Sequence, residues 1–151
     1  MQILRKLYSF EVPTHELITI YQIFIRSVLE QSALVWHSSL TEDQRTGLER
    51  IQRVALRIIL KDDYESYEEA LKTVKIETLD NRREHLCLEF ATACTKNKSA
   101  NIRDMFPLNN ERTTRNPEKF VVQYARRERL KKSAIPYMQR LRNKFNSTKK
   151  N

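Results

Sequence analysis

The chain contains a single glycine, Gly47, among its 151 residues, and this scarcity limits the folds open to it more than any other feature. Tight β-hairpins usually need glycine at positive φ, and loops that wrap phosphates need several glycines close together. The sequence therefore excludes a P-loop and a glycine-rich dinucleotide-binding turn. It predicts a mainly α-helical chain of ordinary single-domain length.

The predicted fold is mainly all-α, a small bundle of four to five helices with a basic C-terminal extension. Capping boxes at Thr41–Gln44 and Ser66–Glu69 predict two helix starts, and apolar periodicity predicts helices over 14–36 and 78–96. The segment around 119–125 has strand propensity, which allows one short strand or hairpin there. The predicted domains are a helical bundle at 1–100, a connecting loop at 101–118 and a basic segment with a final helix at 119–151.

Charge is distributed unevenly along the chain. Residues 1–100 carry 14 Lys and Arg against 15 Asp and Glu, whereas residues 101–151 carry 14 against 4. The net charge of +9 therefore comes from the last third of the chain. A near-neutral body with a basic extension is typical of proteins that bind a polyanion.

Two sets of basic residues are candidate contacts for the phosphates of a nucleic acid. The first set follows one face of the helix after Thr41, about 140° from its apolar face; this pattern also suits a solvated face on which Glu49 pairs with Arg53. The second set has only Glu128 nearby, and the flanking Tyr124 and Tyr137 suit either stacking on bases or packing on the bundle. The first set, here named the basic stripe, is Arg50, Arg53, Arg57 and Lys61. The second set, here named the basic cluster, is Arg126, Arg127, Arg129, Lys131, Lys132, Arg140, Arg142 and Lys144.

The sequence predicts no catalytic residue, no metal site and no cofactor. Asp62–Asp63 is best interpreted as a solvated turn between two helices. Cys87 and Cys94 lie two helical turns apart, about 10 Å, on an apolar stripe, where a free cysteine packs more readily than it joins His85 as a metal ligand. The spacing of the three histidines is not typical of a catalytic base or a ligand set.

The stretch from Leu17 to Trp36 is the most apolar part of the chain, but it contains Arg26 and Glu30. We therefore expect no membrane span, and the N-terminus lacks the pattern of a signal peptide. The expected location is intracellular, in the nucleus or the cytoplasm. Because this helix is apolar on most sides, we also expect the chain to self-associate.

Five segments, in order, resemble the C-terminal region of reverse transcriptases from jockey-like non-LTR retrotransposons. Their motifs have the forms I-Y-x-x-F-I-R followed by V-W, and L-E-x-[IV]-Q-[KR]-x-A. Two departures are Gln31, where the family commonly has an aromatic residue, and Arg142, which replaces a usually apolar one. The segments are Ile20–Glu30 with Val35–His37, Leu48–Arg57, Ser66–Leu71, Glu77–Leu79 with Arg82–Arg83, and Ile135–Leu141.

The resemblance implies thumb helices and a basic tail that lie downstream of a polymerase palm. The aromatic-x-Asp-Asp motif that holds the two catalytic metals of such polymerases is absent from the sequence. The implied function is that of a catalytically incomplete fragment of an RNA-directed DNA polymerase, not an enzyme by itself, which binds RNA, DNA or an RNA–DNA hybrid by phosphate contacts. Its implied protein partner is the missing upstream palm. The alternatives are a helical protein-interaction module reused by the host and a transposon relic without function.

Overall fold

The computed structural model describes residues 1–96, 100–108 and 119–148, and its mainly α-helical fold confirms the predicted class. A π-helical segment, Tyr21–Arg26, joins α2 to α3 without a break, and 3-10 turns lie at His37–Ser39 and Lys61–Asp63. The helices are α1 (Gln2–Ser9), α2 (Thr14–Ile20), α3 (Ser27–Glu30), α4 (Ala33–Trp36), α5 (Glu42–Leu60), α6 (Tyr67–Val74), α7 (Leu79–Lys96), α8 (Ala100–Asp104), α9 (Glu128–Lys131) and α10 (Ala134–Thr148).

Across the described ranges, every helix is too short or too polar to cross a membrane.

The chain forms two compact units whose boundaries differ from the predicted domains. The first unit comprises Met1–Gln31 and Thr41–Arg82, and the second comprises Ser32–Leu40 and Arg83–Asn151. The predicted bundle at 1–100 is therefore divided within α7, because the later part of this helix shares its core with segments from the C-terminal third. Of the predicted loop at 101–118, residues 109–118 lie outside the described residues.

The predicted helix over 14–36 is interrupted in the structure. Its continuous part ends at Glu30, and Ser32 adopts a left-handed conformation with φ 56° before α4 begins. A non-glycine residue at positive φ cannot continue a right-handed helix. The apolar segment is thus divided between the two units, and its first part contributes Leu17 and Tyr21 to the core of the first unit.

Helix α5 begins at the capping box that the sequence predicts. Thr41 Oγ1 accepts a hydrogen bond from the Gln44 amide (3.3 Å), and Gln44 Oε1 accepts one from the Thr41 amide (3.0 Å). At α6, Ser66 caps the Glu69 amide (3.2 Å). The Glu69 carboxylate accepts a hydrogen bond from Lys72 (3.3 Å).

A buried amide joins three segments of the first unit. Gln52 on α5 is fully buried, and its carbonyl accepts a hydrogen bond from the Tyr21 hydroxyl (2.6 Å). Its NH₂ group donates to the Tyr67 hydroxyl and to the Glu77 carbonyl, each at 3.0 Å. Burial raises the pKa of both tyrosines above the ordinary value, so the hydroxyls stay protonated donors. All the polar groups of this side chain are therefore in use.

The core of the second unit includes the face of α7 that carries the predicted apolar stripe. Cys87 and Cys94 are buried in it together with Ala91. Phe106, Phe120 and Met138 complete the same core.

The strand or hairpin allowed at 119–125 does not form within the described residues. The structure has an isolated antiparallel bridge between Leu108 and Phe120. The side chain of Asn143 instead accepts from the Phe120 amide (2.8 Å) and donates to its carbonyl (3.0 Å). This side chain takes the place of a neighbouring strand, so the extended segment is anchored without a sheet.

We predict that Gln52→Leu destabilises the protein by about 1–3 kcal/mol, because the buried Tyr21 hydroxyl loses its acceptor and the two hydrogen bonds donated by the amide are lost. Urea denaturation followed by circular dichroism measures this loss. The matched control is Gln123→Leu at an exposed position, for which we expect a change within about 0.5 kcal/mol. Equal stability of both variants would show that the network contributes nothing.

Candidate nucleic-acid interface

The basic stripe lies on the exposed side of α5 in the first unit, and three of its four side chains rest on tyrosine rings. The guanidinium of Arg53 lies 4.9 Å from the centre of the Tyr67 ring. The remaining two contacts are Arg57 over Tyr64 (5.2 Å) and Lys61 over Tyr8 (5.2 Å). A cation held on an aromatic face is oriented by the ring quadrupole and keeps its full charge.

The ion pair between Glu49 and Arg53, expected for an ordinary solvated face, is replaced by other contacts. Glu49 Oε1 accepts hydrogen bonds from the Tyr67 hydroxyl and from the Leu79 amide, the latter at 3.2 Å. The carboxylate therefore caps the start of α7 and anchors the ring on which Arg53 lies. Along the described chain, no carboxylate forms an ion pair with a residue of the basic stripe.

The basic cluster surrounds α9 and the start of α10 in the second unit. Lys131 pairs with Glu128 at 2.6 Å, and this pairing, together with Lys132 and Arg140, holds the pKa of the Glu128 carboxyl below its usual range. Within the ranges that the structure describes, no other exposed cation of the cluster forms an ion pair. These cations are Arg126, Arg127, Arg129, Lys132, Arg140 and Lys144.

Arg142 differs from the prediction, because hydrogen bonds and a ring contact hold its side chain against the core of the second unit. The residue is half-buried, and its Nε donates to Thr92 Oγ1 (2.9 Å) while Nη1 donates to Asn146 Oδ1 (3.3 Å). Its guanidinium also lies 5.7 Å from the centre of the Phe120 ring. Arg140 remains exposed, although it donates to the Lys131 carbonyl. We therefore remove Arg142 from the candidate interface.

The two tyrosines beside the cluster have different environments. Tyr124 is 87% exposed, so its ring is open to a stacking partner. Tyr137 is half-buried and packs edge-on against His37 at 5.7 Å between ring centres. Of the two alternatives that the sequence allows for Tyr137, stacking on bases or packing on the protein, the structure shows packing.

A buried polar cluster around His37 was missed by the sequence reasoning. Arg83 Nε donates to His37 Nδ1 (3.4 Å), the Tyr137 hydroxyl lies 3.4 Å from His37 Nε2, and the Arg83 guanidinium lies over the Trp36 ring (5.6 Å). Arg83 is fully buried. The sequence does contain a sign of this burial, because Arg83 lies four residues before Cys87 and therefore on the same face of α7. These contacts order α4 and α10 within the second unit.

The second unit also has an open cavity of about 500 Å³ beside the basic cluster. Val35, Leu130 and Ala134 form apolar parts of its wall, and the cations Arg127, Arg129 and Lys132 also line it. Sequence reasoning had no signal for this cavity, because Val35 and Leu130 are distant in the chain and only the tertiary fold brings them together.

The residues dismissed as catalytic or metal-binding candidates occupy ordinary positions. Asp62 and Asp63 are exposed in the 3-10 turn after α5. Cys87 and Cys94 are both buried, and burial raises the pKa of the Cys87 thiol to about 11 and that of Cys94 above its ordinary value. In the described part of the chain, no group of three His, Cys, Asp or Glu side chains is placed to hold a metal ion.

No protein-family model, curated protein or solved structure matches this chain.

We predict that Cys87 and Cys94 react with a thiol reagent such as Ellman's reagent about a hundredfold more slowly in the native protein than in urea, because burial keeps them protonated and covered. Because burial raises their pKa, the thiols ionise at a higher pH in the folded protein than in the unfolded chain. The stabilisation linked to the Cys87 thiol is therefore complete below about pH 9 and is lost as the pH rises toward 11. Rapid labelling of the native chain at about pH 8 would contradict this and show an accessible thiolate.

Proposed function

We propose that the chain binds the sugar–phosphate backbone of RNA, DNA or an RNA–DNA hybrid by electrostatic contacts, without reading the base sequence. The observation that carries this proposal is the basic cluster, whose exposed cations have one paired carboxylate, Glu128, among the described residues. Like charges this close repel one another, and a polyanion relieves that repulsion while releasing its own counterions. Phosphates supply such charge at regular spacing.

The basic stripe supports the same proposal through its cation–π contacts. The tyrosine rings limit the freedom of Arg53, Arg57 and Lys61, so less side-chain entropy is lost when a phosphate binds. Arginine also presents a planar set of donors that matches two phosphate oxygens. The stripe is thus a pre-ordered row of phosphate contacts along a helix about 28 Å long.

The resemblance to jockey-like reverse transcriptases gives this binding a context. In that context the chain is the C-terminal part of a retrotransposon polymerase and holds the nucleic acid, whereas a palm encoded upstream supplies the metals and the chemistry. Nuclear or cytoplasmic nucleic acid would be the target. An in-frame aromatic-x-Asp-Asp segment in the genomic DNA upstream of the Met1 codon would support this origin.

We predict that log K for duplex DNA falls with log salt concentration with a slope of about −5 to −7, as expected for about six to eight neutralised phosphates. The double variant Arg127→Gln/Arg129→Gln should make the slope shallower by about 2, since each lost phosphate contact removes about 1. Fluorescence anisotropy of labelled DNA over a salt series measures both values.

The matched control for this experiment is Arg5→Gln/Lys6→Gln, which removes two exposed charges from α1 in the first unit. It lowers the net charge equally and should leave the slope unchanged. A slope near zero, or an equal effect of both double variants, would refute the proposed interface.

One observation favours a second candidate function, a helical protein-interaction module that binds a second copy of the chain. Ile23, Phe24 and Val28 are all exposed on one continuous helical segment of the first unit, and Phe24 is 68% exposed. Spacing of four or five residues places side chains on the same side of such a segment. An apolar surface of this kind is characteristic of contacts between proteins.

We predict a dimer whose dissociation constant rises about ten- to 150-fold in Phe24→Ser, because an aromatic side chain contributes about 1.5–3 kcal/mol when it is buried and about 1.4 kcal/mol corresponds to a factor of ten. Sedimentation equilibrium over a range of chain concentrations measures this constant. Tyr124→Ser, which removes an exposed aromatic ring from the second unit, is the control and should dimerise like the natural chain. A monomer at high concentration would exclude this function.

A further inference from the structure

We propose that the open cavity beside the basic cluster takes one unstacked nucleobase of a single-stranded nucleic acid, while the cations that line the cavity bind the flanking phosphates. This inference rests on the proposed function and deepens it, because it names single strands as the preferred substrate class.

The apolar part of the cavity wall is suited to the face of a base. Val35 on α4 is 70% exposed, and Leu130 on α9 is 41% exposed, yet both line the same cavity. Ala134 at the start of α10 completes this apolar wall. Exposed aliphatic side chains that converge on a concave surface gain free energy when a flat, weakly hydrated ring covers them.

The polar part of the wall is suited to the charged backbone on either side of that base. Arg127, Arg129 and Lys132 line the cavity, and none of them forms an ion pair within the ranges that the structure describes. Arginine and lysine differ in hydrogen-bond geometry, but both bind phosphate. Three cations around one apolar wall match a base linked to two phosphates.

The size of the cavity is consistent with this ligand. Its volume of about 500 Å³ is larger than a single base requires. A paired base in a duplex cannot enter without leaving its stack, which costs a few kcal/mol. A single strand escapes most of this cost, and the geometry therefore favours it over a duplex.

The anchoring of the cavity walls indicates that the site is formed before any ligand binds. Ser38, next to the lining residue Ser39, donates to the Lys132 carbonyl at 2.7 Å. Ser133 donates to the Leu130 carbonyl at 2.6 Å. Both hydrogen bonds fix backbone that carries lining residues, which lowers the ordering cost of binding.

The test compares three labelled probes of about twelve nucleotides in anisotropy titrations of the full chain: oligothymidylate, an abasic strand with the same phosphates, and a duplex. We expect oligothymidylate to bind about three- to tenfold more tightly than the abasic strand. Val35→Ser should remove this advantage and leave the affinities for the abasic strand and the duplex unchanged.

The matched control is Val121→Ser, which makes the same change at an exposed valine of the second unit that does not line this cavity. It should bind all three probes like the natural chain. A second measurement, made on the natural chain, uses the fluorescence of 2-aminopurine placed within the strand. This fluorescence should rise on binding, because the base leaves its stacked neighbours.

The outcomes separate this inference from the proposed function. If all probes bind but Val35→Ser affects them equally or not at all, the cavity proposal is overturned and backbone binding survives. If no probe binds at low salt, both proposals fail. Binding to anionic lipid vesicles without preference for oligothymidylate over the abasic strand would also overturn the cavity proposal.

Discussion

The functional interpretation of this structure depends on the positive charge of the basic cluster, most of which no described carboxylate pairs. Basic residues precede α9, lie within it and follow it along the chain. Among the described residues, the carboxylate that pairs with one of them is Glu128. The hydrogen bond from Lys131, together with the charges of Lys131, Lys132 and Arg140, lowers the pKa of the Glu128 carboxyl. Pairing of the C-terminal cations with carboxylates of the same chain would cancel the positive potential that attracts a phosphate.

The basic stripe shows how a helix keeps its charge available. Glu49 is placed to neutralise Arg53, yet its carboxylate accepts hydrogen bonds from Tyr67 and from the start of α7. This contact positions the ring over which the Arg53 guanidinium lies. One carboxylate thus stabilises the fold and also orders a cation that it does not neutralise.

The features that sequence predicts well are those that depend on neighbours along the chain. The Thr41–Gln44 capping box forms in full because both partners lie within one helical turn. The burial of Cys87 and Cys94 follows from an apolar stripe on one helix. The mainly helical class follows from the same local periodicity and from the near absence of glycine.

Other features depend on segments that meet only after folding, and the sequence does not reveal them. Arg142 lies in a basic segment, which predicts an exposed cation. Contacts with Thr92 and Phe120, both distant in the chain, instead hold its side chain against the core of the second unit. Asn143 supplies the backbone partners that a strand at Phe120 would otherwise require. In each case a tertiary contact overrides the local pattern.

The cavity is the clearest example of a proposed site that only tertiary placement creates. Val35 alone is an exposed valine, and Arg127 alone is one more cation in a basic segment. Packing of α4 and its following turn against the α9–α10 region brings aliphatic surface and charge together. Charge by itself attracts any polyanion, whereas an apolar wall inside the charged surface distinguishes a strand with accessible bases from a backbone of the same charge. In the proposed site, discrimination between single and double strands would follow from the cavity wall that Val35 and Leu130 share, although neither residue attracts phosphate.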